Sequence, residues 1–160
     1  MNSIEIREAT VEDSKIILGF VRDLAVYEKA EEEVLANVSD IEHSIFAKDS
    51  TVKALICEQD NVAIGFAVYF YNYSTWLGKN GLYLEDLYVS PQYRGLGAGK
   101  KLLKYLAKIA VANDCGRFEW SVLDWNEPAI KFYESIGANP KSEWVGYQLV
   151  GETLKSFSES

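Results

Sequence analysis

A glycine-rich segment near the middle of the chain constrains the fold more than any other feature. Arg94-Gly95-Leu96-Gly97-Ala98-Gly99 follows the strand-like residues 82–89 and precedes the helical pattern of residues 100–113. Glycine allows positive φ angles, and the first turn of a helix carries unpaired N–H groups at the positive end of its dipole. The segment is therefore predicted to bind a phosphate group, and a purely structural tight turn is the alternative.

Two familiar phosphate-binding motifs do not fit this segment. A P-loop needs a glycine where this chain has Arg94 and a hydroxyl residue where it has Lys101. A dinucleotide-binding fingerprint needs a glycine where this chain has Lys100. The spacing that fits is Arg-x-x-Gly-x-Gly, which resembles the pyrophosphate loop of the GNAT acetyltransferases.

Further segments spread over nearly the whole chain support this resemblance. They are Ile6-Arg7, Ala9-Thr10, Leu24-Ala25, Tyr27-Glu28, Tyr83-Leu84-Glu85-Asp86, Trp125-Asn126-Glu127-Pro128, Phe132-Tyr133 and Gly137-Ala138. Together they resemble the spermidine/spermine (diamine) and thialysine acetyltransferase branch of GNAT. The resemblance implies an α/β fold with a mixed, mostly antiparallel central sheet between helices. It also implies acetyl-CoA as acyl donor and a splay between two central strands near Tyr88 and Trp120.

Amine acetylation has chemical requirements that indicate roles for individual residues. An alkylammonium has a pKa of about 10.4, so a proton must be removed before attack, and the departing thiolate needs an acid. By resemblance, Glu85 is expected to act as base through water, and Tyr133 as acid beside the CoA sulfur. A strand carboxylate paired with a lysine and a core tyrosine are the respective alternatives.

The resemblance also implies two sets of binding residues. The expected CoA-binding residues are Leu87, Tyr88, Val89, Arg94, Gly95, Leu96, Gly97, Ala98, Gly99, Lys100, Asn126, Glu127, Pro128 and Ala129. The expected acceptor-binding residues are Tyr27, Glu28, Trp76, Glu85, Glu119, Trp120 and Ser121. A backbone N–H among residues 87–89 is expected to stabilise the oxyanion, and Asn126 to serve also as a helix N-cap. The acidic run from Glu28 to Glu33 is either part of the acceptor site or a solvated loop.

Two departures from the branch bear on the acceptor. Ser74-Thr75 stands before Trp76 where polyamine acetylators carry Asp-Pro, and Trp144-Val145 stands where they carry an acidic pair. Fewer carboxylates favour a compact amine such as thialysine over spermidine. A protein or peptide amine as acceptor, or a non-catalytic acyl-CoA-binding module, are the rival interpretations.

The amino-acid composition of the chain restricts the classes of molecule that it is expected to bind. With 16 basic and 24 acidic residues the net charge is −8, which argues against nucleic acid and favours cationic partners. The apolar run Val62–Tyr71 is too short to span a membrane, and the N-terminus lacks a signal-peptide pattern, so a cytoplasmic protein is expected. Cys57 and Cys115 are expected to be free thiols. A single histidine, His43, leaves no cluster for a metal ion and no Ser/His/Asp triad.

A chain of 160 residues is expected to form one N-acetyltransferase domain over residues 1–160. The expected strands are Ile4–Glu8, Val52–Glu58, Val62–Tyr71, Leu82–Val89, Arg117–Val122 and Val145–Val150. The expected helices begin at Thr10 with Asp13, at Ser39 with Glu42, at Lys100 and at Pro128. By resemblance, residues 145–157 are expected to mediate a homodimer, through a strand followed by the apolar residues Leu154 and Phe157.

Overall fold

The computed structural model describes residues 3–160; Met1 and Asn2 of the expected domain lie outside the described residues. The chain divides into two compact units, residues 1–121 and residues 122–160. The first unit contains β1 (Ile4–Glu8), α1 (Ser14–Tyr27), α2 (Val38–Ile45), β2 (Val52–Gln59), β3 (Val62–Ser74), β4 (Lys79–Val89), α3 (Ala98–Ala112) and β5 (Phe118–Trp120). The second unit contains α4 (Glu127–Ser135) and α5 (Gly151–Glu159).

The five strands of the first unit form one sheet in the order β1-β2-β3-β4-β5. The first three pairings are antiparallel, and β5 lies parallel to β4. This confirms the mixed, mostly antiparallel sheet. The hairpin between β2 and β3 turns at Asp60 and Asn61, whose φ angles of 50° and 65° match the left-handed turn that Asp and Asn tolerate.

Helices cover both faces of the sheet. On one face, α1 and α2 pack on alternate strand residues, and the Phe20 and Phe66 rings stack 5.5 Å apart. The intervening residues, such as Leu55 and Ala67, are fully buried on the other face, because side chains alternate along a strand. There α3 approaches β4, with Leu87 4.0 Å from the position of a Cβ on Gly99.

A β-bulge interrupts the pairing of β3 with β4. Val68 pairs with Asp86, but the next residue, Tyr69, pairs with Leu84, so Glu85 is an extra residue of β4. Asp86 therefore lies opposite Val68, a core residue of the α1 and α2 face. The bulge lies within β4, next to the edge strand β5, and it carries the adjacent carboxylates Glu85 and Asp86.

The start of α1 is capped as the sequence predicts, after one short 3-10 turn. The Thr10 N–H donates to Asp13 Oδ2 at 2.8 Å, and Arg7 donates to both Asp13 carboxylate oxygens at 2.8 and 2.9 Å. The Arg7 guanidinium holds the pKa of the buried Asp13 carboxyl below its usual value. This contact fixes α1 against β1.

The predicted cap of α2 was wrong. Asn37 and Asp40, not Ser39 and Glu42, form the reciprocal pair, with bonds of 2.9 and 2.8 Å. Both pairs have the same spacing, and the Asn37 amide oxygen is the acceptor that closes the first turn. Ser39 instead lies one turn before His43, with 3.2 Å between its Oγ and the His43 Nδ1.

The second unit departs from the sequence prediction at its C-terminal end. The helix predicted to begin at Pro128 is confirmed as α4, and Gly137, with φ of 92°, follows its end. The strand predicted for residues 145–150 was wrong, since none of these described residues is in a strand. Alternating apolar residues would lie on one face of a strand, but a strand forms only where a neighbouring strand pairs with it, and the alternation does not provide that neighbour. Residues 151–159 form α5, and the spacing of Leu154 and Phe157 fits one helix face.

Candidate active site

The pairing of β4 with β5 is short, and it leaves an edge of β4 open. The last pair is Leu84 with Trp120, so the two strands separate beyond it, where a splay near Tyr88 and Trp120 is expected. The Ser90 N–H donates across to Ile64 of β3 at 2.8 Å. Because backbone groups alternate along a strand, the N–H groups of residues 87 and 89 point to the opposite edge. These are the backbone donors expected for the acyl carbonyl.

The glycine-rich segment lies directly after this strand. Gly95 and Gly97 have φ angles of 81° and 85°, which side-chain-bearing residues rarely adopt. The first backbone bond of α3 runs from the Lys101 N–H to the Gly97 carbonyl at 2.9 Å. The N–H groups of residues 98–100 are thus the free donors of the first helical turn, and a glycine N-cap has no side chain to satisfy them. This arrangement fits the pyrophosphate of CoA.

Basic side chains near the loop have different environments. The Arg94 Nε donates to the Val89 carbonyl at 2.9 Å, and its guanidinium lies over the rings of Tyr27 and Tyr88, 5.3 and 5.4 Å from their centroids. Lys101 Nζ donates to the Ile4 carbonyl. Lys100 is exposed at the start of α3. Arg94 therefore contacts groups of the protein itself, although it opens the phosphate-binding motif.

Three carboxylates interact around the bulge. Burial raises the pKa of Asp86 to about 6, and the negative charges of Glu85 and Glu28 add to the rise. The pKa of Glu28 is also raised, first by partial burial and then by Glu85. Glu28 follows the last residue of α1 and Glu85 is the bulged residue of β4. We call Glu28, Glu85 and Asp86 the acidic cluster.

Asp86 is the functional candidate that sequence reasoning missed. The resemblance implies a role for Glu85 alone, and a strict period of two places residues 85 and 86 on opposite faces of a strand. The bulge changes this, because two residues of β4 oppose one residue of β3. The adjacent acids interrupt the apolar residues of β4, but the position of the bulge is set by the pairing of β4 with β3.

The other expected acceptor residues occupy different places. Glu119 Oε1 lies 2.9 Å from Arg117 Nε, and Ser121 Oγ lies 2.9 Å from the Tyr83 hydroxyl. The Trp120 ring meets Phe118 edge to face at 4.9 Å. Trp76 lies in the turn before β4 and is 87 % exposed. The strand from Lys79 to Glu85 spans about 20 Å, so Trp76 is distant from the acidic cluster along β4.

In the second unit, α4 carries the remaining candidates. The Asn126 carbonyl accepts the first helical bond from Ile130 at 3.1 Å, and Glu127 and Pro128 begin the helix. Asn126 thus occupies the expected N-cap position, although its side chain makes no capping hydrogen bond to the helix. Tyr133 is partly buried in the last turns of α4, with its ring 5.9 Å from that of Phe132.

Residues 19–138 match the model of the acetyltransferase (GNAT) family. The chain belongs to the GNAT acetyltransferase family. It is 35 % identical to thialysine N-epsilon-acetyltransferase of Sus scrofa, over 99 % of both chains. It is also 33 % identical to spermidine/spermine N(1)-acetyltransferase-like protein 1 of Homo sapiens, over 93 % of this chain and 22 % of that protein. Among solved structures, an integron cassette protein from the mobile metagenome of V. cholerae superposes with a TM-score of 0.84, at 30 % identity and 99 % coverage of both chains.

The family identifies the chain as an N-acetyltransferase, and GNAT enzymes take their acyl group from acetyl-CoA. Within residues 3–160 no helix is long and apolar enough to cross a membrane. The same residues contain no group of three or more His, Cys, Asp or Glu side chains arranged to hold a metal ion. Cys57 is buried and Cys115 partly buried, and both are free cysteines, as predicted.

Proposed function

We propose that this GNAT acetyltransferase transfers the acetyl group of acetyl-CoA to a primary amine of a small cationic acceptor by direct attack in a ternary complex. The acidic cluster is the observation that carries the proposal. Its members Glu85 and Asp86 belong to the strand that leads into the phosphate-binding loop. An ammonium group satisfies the three mutually repelling carboxylates, and the loop satisfies the phosphates of the donor.

Among small amines, we propose a compact acceptor of the thialysine or diamine type. Ser74 and Thr75 stand where branch members that use polyamines carry Asp-Pro, and Ser74 Oγ instead accepts a bond from the Leu77 N–H at 3.2 Å. Val145 likewise replaces an acidic residue. A long polycation thus lacks anchors for its distant ammonium group. The relative from Sus scrofa, whose name refers to thialysine, supports this choice.

The proposed chemistry begins with the acceptor proton. With a pKa of about 10.4, only about one amine molecule in a few thousand is neutral at pH 7, so a base must assist. Glu85 is exposed at the bulge, and it takes this proton through a water molecule. The N–H groups of Leu87 and Val89 stabilise the developing oxyanion, and Tyr133 protonates the departing thiolate.

The donor is held by two segments in this proposal. The N–H groups of residues 95–100 bind its pyrophosphate, with the exposed Lys100 nearby. Asn126, Glu127, Pro128 and Ala129 contact the rest of CoA from the start of α4. Binding at these backbone groups compensates for the repulsion between polyanionic CoA and a chain of net charge −8.

We further propose that residues 1–160 act as one catalytic domain in a cytoplasmic homodimer. Two free cysteines suit a reducing compartment. Residues 144–157 expose several apolar side chains, which favours burial against a second copy. They are Trp144, Val145, Tyr147, Leu149, Val150, Leu154 and Phe157.

A panel of amines, followed by release of free thiol from acetyl-CoA, tests the function. We expect kcat/KM for thialysine to exceed that for spermidine by about 30-fold, since two absent ion pairs are worth roughly 1 kcal/mol each. Glu28→Gln should raise the KM of the amine and leave acetyl-CoA affinity unchanged. Preference for a peptide N-terminus would refute the acceptor class. Acetyl-CoA binding without turnover of any amine would indicate a binding module instead.

A further inference from the structure

The guanidinium of Arg94 lies over two tyrosine rings that belong to different elements. Tyr27 is the last residue of α1, and Tyr88 lies near the end of β4. The guanidinium lies 5.3 Å from the first ring centroid and 5.4 Å from the second. Its Nε also donates to the Val89 carbonyl at 2.9 Å. A planar guanidinium combines ring stacking with a directed hydrogen bond in a way that lysine does not.

We propose that Tyr27 is a positioning residue for the phosphate-binding loop and acts on it through Arg94. The inference rests on the proposed function to the extent that the loop binds the pyrophosphate of CoA. This proposal adds a second role for Tyr27. Its ring supports the donor site, while the residue also precedes Glu28 of the acidic cluster. The end of α1 is thereby connected to both substrates.

The loop needs such a support for a conformational reason. Gly95 and Gly97 both have positive φ angles, and glycine loses more backbone freedom than any other residue when it is ordered. Arg94 directly precedes them, so fixing its side chain on β4 restricts the first residue of the loop. Of the two tyrosine rings that contact Arg94, the Tyr88 ring belongs to β4. The Tyr27 ring belongs to α1 and therefore connects the loop to a different element.

A direct contact of the acceptor ammonium with the Tyr27 ring is the competing role. The two roles differ in which substrate responds to a substitution. A supporting role predicts weaker CoA binding in the complete absence of amine. An acceptor role predicts normal CoA binding and a higher KM for the amine only.

Calorimetric titration of the full chain with CoA, without amine, tests the proposal. Tyr27 is 40 % exposed, and a cation–π contact at such a position corresponds to about a 2- to 5-fold change in affinity. We expect Tyr27→Leu to weaken CoA binding by this factor and to raise the KM of acetyl-CoA by the same factor. Tyr27→Phe keeps the ring and should stay within about 2-fold of the wild type. Tyr73→Leu, at an exposed tyrosine of β3, is the matched control and should bind CoA normally.

A double-mutant cycle separates this contact from a general loss of structure. Arg94→Gln removes the cation, and in that background Tyr27→Leu should cause no further loss of CoA affinity. Additive losses would overturn the proposal, as would normal CoA affinity of Tyr27→Leu. Absence of CoA binding by the wild type would instead contradict the donor site itself. If Tyr27→Leu does not fold, Arg94→Lys keeps the charge, loses the planar group and should show the same 2- to 5-fold weakening.

Discussion

Replacing Asp86 with asparagine removes the most strongly perturbed carboxyl of the acidic cluster and keeps nearly the same side-chain shape. Burial, Glu85 and Glu28 together raise the pKa of Asp86 from 3.8 to about 6 in the folded protein. The folded state therefore holds this proton more tightly than the unfolded chain does. The stabilising contribution of the proton is complete below pH 3.8 and is lost as the pH rises through 6.

The magnitude follows from the size of the shift. A difference of roughly two units corresponds to about 3 kcal/mol when the carboxyl is fully ionised, at 1.36 kcal/mol per unit. Glu28 and Glu85 are exposed, and water screens their part of the repulsion, so this value is an upper bound. Between about pH 4.5 and pH 8, the Asp86→Asn variant should gain up to about 2 kcal/mol of stability relative to the wild type.

Urea denaturation of the wild type and of Asp86→Asn, at about pH 4.5 and about pH 8, measures this change in the free energy of unfolding. Asp23→Asn, at an exposed carboxylate of α1, serves as the matched control and should show a much smaller pH-dependent difference. A difference between Asp86→Asn and the wild type that does not vary with pH would refute the reasoning. A saturating cationic acceptor should reduce the stability gain, because an ammonium in the cluster favours the ionised carboxylate.

Three further predictions concern the acid, the loop and the assembly. Tyr133→Phe removes only a hydroxyl and should lower kcat by about 10- to 1000-fold with CoA affinity retained, so an unchanged rate excludes Tyr133 as the acid. Gly97→Val meets a φ of 85° that valine does not tolerate, and calorimetry should show that CoA affinity is largely lost while circular dichroism still reports a folded protein. Sedimentation at micromolar concentration should give twice the mass of the 18.0 kDa chain, and the mass of one chain would contradict the homodimer.

The parts of the fold that the sequence predicts well are those set by local chemistry. Three closely spaced glycines at the start of an amphipathic helical pattern indicate the turn into α3, and the Thr10–Asp13 pair indicates the start of α1. The bulge at Glu85 depends on how β3 and β4 pair, which a single strand does not reveal. For the same reason, the alternation in residues 145–150 did not establish a strand. A periodic pattern identifies a face, whereas a strand also needs a neighbour.

The site also illustrates why composition alone identifies partners incompletely. A net charge of −8 predicts attraction of a cationic amine. Acetyl-CoA, the acyl donor, is a polyanion, and the same net charge repels it. In the proposed site, the acceptor and the donor bind at different parts of β4. The carboxylates of Glu85 and Asp86 lie within β4, and the backbone N–H groups of the glycine-rich segment follow the end of the strand at Val89. Tyr88 lies in sequence between the two carboxylates and the glycine-rich segment, and the guanidinium of Arg94 lies over its ring.

Opposite responses to salt follow from this separation. Raising the ionic strength from about 0.01 to 0.1 M shortens the Debye length from about 30 to about 10 Å. The KM of a cationic acceptor should then rise, by roughly 2- to 3-fold, because its attraction to the exposed carboxylates Glu28 and Glu85 is screened. The KM of acetyl-CoA should stay constant or fall, because in the proposed site backbone N–H groups bind its phosphates, while the repulsion from the chain as a whole is screened. Steady-state kinetics in a non-coordinating buffer measure both values, and a parallel rise of the two would show that side-chain cations, not backbone groups, dominate the binding of the donor.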